Sequence, residues 1–372
     1  MKVLKAYKFK VKNANRKVLD NLDSTLDLCR ELYNAGLTER RDAWRLNRIN
    51  IGYLEQANQL SEIKEVRQDL KNSHSQILQD VLKRLDKTFK AFFSRVKKGV
   101  AKVGFPRFQG KNRYDSFTFP QSGFSLTGNK LTLSKIGTLT LRISRKIVGK
   151  VKTLTIKKEL NSWFAIFTVE VESESLGKTG HVVGIDVGIK SFAAFDDGQM
   201  INNPKFYEST QKQLRRFQRS VSRKKKGSQS RKKAILKLKK LHLRIKNLRY
   251  EFLHQETTKL IKKFDVICIE KLNIKGLAKG ILAKQVNDAS WSKFFNLLNY
   301  KAANADKKVI EVNANGTSQI CSNCLIEVPK DLSVRIHHCS NCGLVLDRDT
   351  NAAKNILRLG LRLLNLTKAV GL

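Results

Sequence analysis

Two Cys-x-x-Cys pairs, Cys321/Cys324 and Cys339/Cys342, stand with 14 residues between them, and seven residues beyond the last comes Asp349, in the run Asp347-Arg348-Asp349-Thr350-Asn351-Ala352-Ala353. A tetrahedral Zn²⁺ takes four thiolates, and two tight-turn pairs joined by a loop of this length supply them at small entropic cost. Any fold for this stretch therefore has to bring four sulfurs to one point just ahead of an acidic helix start. Two disulfides or a thioredoxin-like redox motif would use the same residue type. A redox motif needs only one pair, however, and nothing in the chain indicates an oxidising compartment. The expectation is one Zn²⁺ held by Cys321, Cys324, Cys339 and Cys342, structural because four cysteines leave no open position for catalysis.

Charge narrows the partners. The chain has 372 residues, with 73 Lys and Arg against 32 Asp and Glu, a net +41 at pH 7. Counter-ion release from phosphates would dominate the affinity of such a protein, so nucleic acid is the natural partner. At 41% hydrophobic residues there is still enough apolar material for packed cores, which excludes a disordered basic tail. A membrane surface is the ordinary rival for a basic protein, but neither end carries a lipidation motif. No apolar stretch is long enough to span a bilayer, and Met1-Lys2-Val3-Leu4-Lys5 is not a signal peptide. The chain is expected to be soluble and intracellular, with no membrane partner and with Cys29 and Cys268 as free, buried thiols.

Periodicity outlines the domains. Residues 3–11 alternate Val3, Lys5, Tyr7, Phe9 and Val11 against Leu4, Ala6, Lys8 and Lys10, the pattern of a strand. From about Arg16 the spacing becomes helical, with Leu19, Leu22, Leu26, Cys29, Leu32 and Tyr33, and later Ile77, Leu78, Val81, Leu82, Leu85 and Phe89. Residues 14–98 are thus mainly helical. Gly104-Phe105-Pro106-Arg107-Phe108-Gln109-Gly110 breaks the helix, and strand-type runs return at 115–119, 130–134, 138–143, 151–158 and 163–171. A β element is interrupted by a helical insertion.

After a short Gly177–Gly180 linker, His181–Gly188, Ser191–Phe195, a turn at Asp196-Asp197-Gly198 and a third short strand form a meander. Residues 205–250 are helix-prone and very basic. Arg215, Arg216, Arg219, Arg223, Lys224, Lys225 and Lys226 accompany an apolar stripe of Leu214, Phe217, Val221, Ile235, Leu238, Leu241, Ile245 and Leu248. The spacing predicts two basic helices, an antiparallel pair turning near Gly227-Ser228. A buried-type strand ending at Glu270, a helix from Asp288 through Tyr300, a strand Val309–Val312, the cysteine pairs and a final helix Asn351–Leu363 complete the chain.

An acid on the first strand of a meander, Asp186, a Glu closing a later strand, Glu270, and an Asp at a C-terminal helix start, Asp349, follow the order of an RNase H-like α/β domain. Three carboxylates suit phosphodiester hydrolysis, because they can hold two Mg²⁺ ions about 3.5–4 Å apart, one for the attacking water and one for the leaving oxygen. Each acid also has a plainer reading: Asp186 as a solvent-facing strand end, Glu270 as a partner of Lys271, Asp349 as an N-cap. A lone carboxylate between Ile185 and Val187 would normally be excluded from a sheet, and three acids in this order weigh more than any one of them.

These residues carry a resemblance to the TnpB family, transposon-associated RNA-guided DNA endonucleases related to type V CRISPR effectors. Similar to the family are Gly184-Ile185-Asp186-Val187-Gly188, Ile269-Glu270-Lys271-Leu272, Asp288-Ala289-Ser290-Trp291, Thr317–Cys324 and Asp347–Ile356. Nearer the N-terminus, so are Lys5–Phe9, Ser75–Asp80 and Phe105-Pro106-Arg107-Phe108. The resemblance implies a multidomain α/β protein. A wedge β-barrel (1–13 and 115–178) with an inserted helical recognition lobe (14–114) would precede a RuvC, RNase H-like nuclease domain (179–316 and 347–372). The RuvC domain would carry a zinc-ribbon-like target-nucleic-acid-binding insert (317–346). The resemblance also assigns Asp186, Glu270 and Asp349 as catalytic acids binding Mg²⁺, a guide RNA from the transposon end and target double-stranded DNA as partners, and a cytoplasmic, nucleoid-associated setting in a prokaryotic cell.

Leu325 stands where the family often carries Gly, and Asn313-Ala314-Asn315 replaces a commoner Asn-Pro run. Neither departure removes a ligand or an acid; both bear on local turn geometry. The reading is an RNA-guided DNA endonuclease cutting beside a short target-adjacent motif. Its rivals are a guide-programmed regulator that binds without cleaving, and an unguided RuvC-type resolvase or transposase.

Overall fold

The structure is a computed structural model that describes residues 2–369 apart from 112, 174, 314 and 332, with 366–369 described in backbone only. Position 314, one of the two departures from the family pattern, therefore lies outside the described residues. The chain divides into two compact units, Met1–Glu172 and Ser173–Leu372.

In the first unit, β1 (Lys2–Asn13) leads into α1 (Arg16–Asn47), α2 (Tyr53–Asn58), α3 (Leu60–Val66) and α4 (Ser75–Lys97). Six strands follow: β2 (Ser116–Phe119), β3 (Phe124–Thr127), β4 (Lys130–Leu133), β5 (Gly137–Arg142), β6 (Lys150–Glu159) and β7 (Ser162–Glu172). The seven strands order as β2-β6-β7-β1-β5-β4-β3, antiparallel wherever they pair. The two edges come together through aromatic packing: Phe119 of β2 meets Phe124 of β3 with ring centroids 6.1 Å apart, and Phe124 reaches Phe167 of β7 at 6.5 Å. A sheet whose edge strands share one core in this way is a nearly closed barrel, which leaves few unpaired edges. Strand β3 was not expected from the sequence. It is four residues long, flanked by Gly123 and Gly128, and shows no fully buried residue.

The helical insertion has its own polar anchor. Arg40 of α1 is buried, donates from Nε to Gln56 Oε1 at 2.7 Å, and pairs with Asp86 of α4 at 3.2 Å. Gln56 in turn donates to Gly36 O at 3.0 Å. Two of the buried Arg40 guanidinium nitrogens are met, Nε by Gln56 and Nη1 by Asp86, and these contacts tie α1, α2 and α4 together.

The second unit holds β8 (Val182–Val187), β9 (Ser191–Phe195), β10 (Met200–Asn202), α5 (Phe206–Ser222), α6 (Gln229–Lys263) and β11 (Val266–Glu270). After these come α7 (Ile274–Leu277), α8 (Ala283–Ala289), α9 (Trp291–Ala305), β12 (Lys308–Val312), β13 (Ile336–His338), β14 (Val345–Asp347) and α10 (Arg348–Ala369). Its five-stranded sheet runs β10-β9-β8-β11-β12, with β8, β11 and β12 parallel and the meander antiparallel. That order and direction are RNase H-like.

Because side chains alternate across a strand, Val183, Ile185, Val187, Ile267 and Ile269 face one core with Leu253, Leu260, Trp291, Phe294 and Leu298 of α6 and α9. Cys268 falls on the opposite face, packed with Ile356 and Leu357 of α10.

Glycine decides how near α10 comes. A Cβ on Gly184 would lie 2.1 Å from Ala353 O and 2.7 Å from Leu357 Cβ, and one on Gly360 would lie 2.2 Å from Cys268 Sγ. Gly184 thus lets the helix backbone meet the strand, and Gly360 makes room for the Cys268 side chain.

Two helices differ from the sequence reading at their ends. The helix expected from Asp288 through Tyr300 is two helices broken at Ser290, which is left-handed (φ 57°). Asp288 closes the first of them, accepting from Arg249 Nε at 2.7 Å and Tyr207 N at 2.9 Å, which ties α8 to α5 and α6. The last helix starts at Arg348, three residues earlier than expected. The turn at Gly227-Ser228 is where it was expected: Gly227 is left-handed (φ 87°) and the Ser228 hydroxyl caps α6, accepting from Arg231 N.

No described helix is long and apolar enough to cross a membrane. Cys29 and Cys268 are free and buried, and burial pushes their thiols up to about 12 and about 11.

Gly184→Ala should destabilise the protein by at least about 2 kcal/mol through overpacking. Gly177→Ala, at a glycine with nothing within 4 Å of the added carbon, should leave stability near wild type. Paired denaturant melts of the two variants check this.

Candidate active site

The three acids named from the sequence meet on the α10 face of the sheet. Cys268 pairs with Gly184 and Ile269 with Ile185 across β11 and β8, so the residues one step further, Glu270 and Asp186, stand side by side and point the same way as Gly184. Asp349 enters from the first turn of α10, and its Oδ2 lies 3.9 Å from where a Cβ on Gly188 would sit. The helix can place it there only because Gly184 lets α10 settle on β8.

The electrostatics are unfavourable without a cation. Burial first, then the charges of Asp349 and Glu270, push Asp186 up to about 8, and burial alone raises Glu270. Among the described residues no salt bridge reaches Asp186 or Glu270, and Glu270 is not paired with Lys271. Asp349 is paired directly: Arg348 donates to its Oδ1 from Nε at 3.2 Å and Nη2 at 3.1 Å, and Arg335 Nη1 stands 3.8 Å from Oδ2, while the Arg348 charge partly offsets the push on Asp186. A half-buried set of carboxylates that repel one another is a donor set for divalent cations with oxygen preference.

Capping is divided between the two aspartates of the run. Asp347 Oδ1 accepts from Asp349 N at 2.8 Å and Thr350 N at 3.3 Å, satisfying the first free amides of α10. The N-cap work considered for Asp349 thus falls to Asp347, and the Asp349 carboxylate points elsewhere.

The four cysteines converge just ahead of this helix. Their sulfurs all lie within 4.8 Å of one another, with Cys321–Cys342 at 3.6 Å and Cys324–Cys339 at 3.5 Å. A disulfide needs about 2.05 Å, whereas a tetrahedron with metal–sulfur bonds near 2.3 Å has edges of about 3.8 Å. The cluster therefore fits a zinc ribbon. Each pair forms the same knuckle. Leu325 N donates to Cys321 O at 3.0 Å and Cys321 N to Ile326 O at 2.9 Å; Gly343 N donates to Cys339 O and Cys339 N to Leu344 O, both at 2.9 Å. The residue after each second cysteine is left-handed, Gly343 at φ 72° and Leu325 at φ 68°. Leucine thus holds a conformation that glycine takes without strain.

The knuckle is latched to α10 by two residues whose role the sequence did not reveal. Asn351 and Asn355, buried and one helical turn apart, both donate from Nδ2 to Ile320 O, at 2.8 and 2.7 Å, and Asn351 Oδ1 accepts from Ser322 N at 2.9 Å. Their i, i+4 spacing on an otherwise apolar helix face was the available signal. Arg335, brought to Asp349 by the fold of the insert, left no such signal.

Sheet order, converging acids and a four-cysteine ribbon define an RNase H-like nuclease-type domain with a zinc-ribbon insert. Comparison with known proteins agrees. Residues 166–280 match the family model described as "Probable transposase", and residues 291–356 match that of the "Cas12f1-like, TNB domain". Two relatives share the name "Putative RNA-guided DNA endonuclease". The one from Streptomyces pristinaespiralis is 32% identical, covering 96% of this chain and 90% of its own; InsQ of Escherichia coli K12 is 30% identical, covering 97% and 93%. Among solved structures, Cas12f1 in its complex with sgRNA and target DNA aligns with a TM-score of 0.61 at 13% identity, over 95% of this chain and 98% of that one. The mini-RNA-guided endonuclease CRISPR-Cas_phi3 aligns at 0.52 and 11% identity, over 97% and 92%. The chain belongs to the TnpB family.

In metal-free protein, Asp186→Asn should raise the melting temperature, and the gain should grow with pH. The unfolded Asp186 loses its proton near pH 4 and the folded one only near pH 8, so between those values the folded state holds the extra proton and wild type loses stability as pH rises. Melts in EDTA at pH 5 and pH 8.5 check the sign. Separately, Leu325→Gly should stabilise the knuckle by about 0.5–1 kcal/mol by relieving the left-handed leucine, measured as a higher melting temperature at fixed zinc.

Proposed function

We propose that this protein is a transposon-encoded, RNA-guided DNA endonuclease that cuts by two-metal-ion phosphodiester hydrolysis. The observation that carries this reading is the convergence of Asp186, Glu270 and Asp349, the first two with no salt bridge among the described residues, in a chain of net charge +41. Two Mg²⁺ ions, when bound, would supply an activated water and stabilise the leaving 3′-oxygen. Asp186, Glu270 and Asp349 would hold those ions, and their mutual repulsion in the metal-free state favours taking them up. One structural Zn²⁺ on Cys321, Cys324, Cys339 and Cys342 would fix the insert, and through Asn351 and Asn355 the start of α10.

The partners follow from charge and from the relatives' names. Between residues 209 and 248 no ion pair forms among the described residues, although Arg223, Lys225 and Lys226 are exposed. Helices α5 and α6 pack on each other through Leu214, Leu241 and Ile245, so their basic faces are left for phosphates. A guide RNA from the transposon end would pair with the target strand of double-stranded DNA, and base pairing would choose the sequence. In this assignment residues 1–13 and 115–178 form the wedge barrel and 14–114 the recognition lobe, which together read a short motif beside the target. Residues 179–316 and 347–372 form the RuvC domain and 317–346 the target-nucleic-acid-binding insert. A cytoplasmic, nucleoid-associated setting suits those partners. A guide-programmed binder without cleavage is less well supported, because it would have no use for three costly carboxylates.

The test is cleavage of guide-matched plasmid in Mg²⁺ by protein purified with its RNA. Asp186→Ala, Glu270→Ala and Asp349→Ala should each lower the rate at least about a hundredfold. Copurifying RNA and target binding should remain. A variant that still cuts near the wild-type rate would falsify the role given to that residue.

A further inference from the structure

Far in sequence from the acids, the insertion of the first unit holds a group of phenylalanines at its surface. In the last turns of α4, Phe89 is buried, Phe92 is half-buried and Phe93 is 54% exposed. The segment after α4 returns across them. Phe105 packs edge-on to Phe89 and Phe92, with centroids at 5.7 and 5.4 Å, and Phe92 meets Phe93 at 5.2 Å. Phe105 and Phe108 remain 44% and 46% exposed, on either side of a buried Pro106. The Arg41 guanidinium of α1 stands 5.4 Å from the Phe108 ring.

These rings are held in place. Asn34 of α1 clamps the returning segment with a reciprocal pair of hydrogen bonds, Nδ2 to Gln109 O at 3.0 Å and Gln109 N to Oδ1 at 2.8 Å. Buried Pro106 fixes the backbone between the two exposed rings. A clamped loop that keeps aromatic faces in water gains nothing from that exposure in the isolated chain, so the rings are arranged for a partner.

Charge identifies the partner's chemistry. From Lys87 to Tyr114 the chain has nine Lys or Arg and no Asp or Glu. Arg95, Lys97, Lys98, Lys102 and Arg107 have no acidic partner among the described residues. Aromatic faces set among unpaired cations match a strand whose phosphates and base faces are both accessible. A continuous duplex hides its base faces; unpaired nucleotides present them.

We propose that Phe93, Phe105 and Phe108 form a stacking platform for unpaired nucleotides, with the surrounding lysines and arginines holding the phosphates. The proposal rests on nucleic acid being the partner and not on cleavage. It adds to the phosphate contacts proposed for the basic helices a contact that is aromatic as well as ionic.

The experiment measures binding of the full chain to two fluorescent probes of equal length and charge, an oligothymidylate of about 12 nucleotides and an abasic strand. The variants are Phe93→Leu/Phe105→Leu/Phe108→Leu, which keeps apolar bulk and removes the rings, and Lys97→Gln/Lys98→Gln/Lys102→Gln. The leucine variant should lose roughly five- to hundredfold in affinity for oligothymidylate, keep its affinity for the abasic strand and keep the wild-type salt slope. The glutamine variant should weaken binding to both probes and flatten the slope by roughly 0.7 for each phosphate no longer neutralised. If the triple leucine variant melts below wild type, Phe93→Leu/Phe108→Leu, which alters only the two most exposed rings, gives the same comparison. Wild-type affinity for oligothymidylate in a folded leucine variant overturns the proposal and assigns the rings to a protein surface. The readout is binding measured without Mg²⁺, so failure of the nuclease reading leaves this result untouched. Wild-type chain that binds neither probe at low salt would overturn the nucleic-acid reading itself.

Discussion

The second unit depends on backbone meeting backbone where α10 crosses the sheet. Gly184 and Gly360 remove the two side chains that would hold helix and strand apart, and the helix then lies close enough for its first turn to deliver Asp349 beside Asp186. Ala352 and Ala353, both buried, extend the same logic along the helix face. Packed interiors leave no slack for an added methyl group. Carboxylates that repel one another would drift apart on a loosely packed helix, and the close fit is what keeps them together.

The cysteine ribbon belongs to the same arrangement. It lies between β12 and α10 in the chain, and its backbone is gripped by Asn351 and Asn355 while Arg335 and Arg348 reach Asp349. The insert and the acid at the helix start are therefore one mechanical object. A change that loosens the sulfur cluster acts on the third acid through two amide side chains, without touching the acid itself.

Much of this was legible in the sequence. The alternation of β1, the helical stripes of α1 and α4, the basic helix pair with its glycine turn and the four cysteines all carried their own signals. What was missed has physical causes. Strand β3 buries no residue fully, so its pattern is weak. The break at Ser290 is made by a serine in a glycine-like conformation, while the apolar spacing runs on across it. The two aspartates of the Asp-Arg-Asp run are told apart only once the helix has formed, when Asp347 meets its first amides and Asp349 meets Arg348 and Arg335. Arg335 comes to Asp349 through the hairpin of β13 and β14, a contact that local pattern does not encode.

The distance along the chain between the acids also sets an order in time. Asp349 follows Asp186 by 163 residues, so a ribosome working at roughly 5–20 residues per second completes the meander on the order of ten seconds before it makes the third acid. Until α10 is made, the face of the sheet that carries Asp186 and, once β11 has followed, Glu270 is uncovered. The cysteines emerge before Asp349, so the four sulfurs can come together before the helix start is presented to the sheet. The cluster of three acids is thus completed late, after the basic helices α5 and α6 have been made.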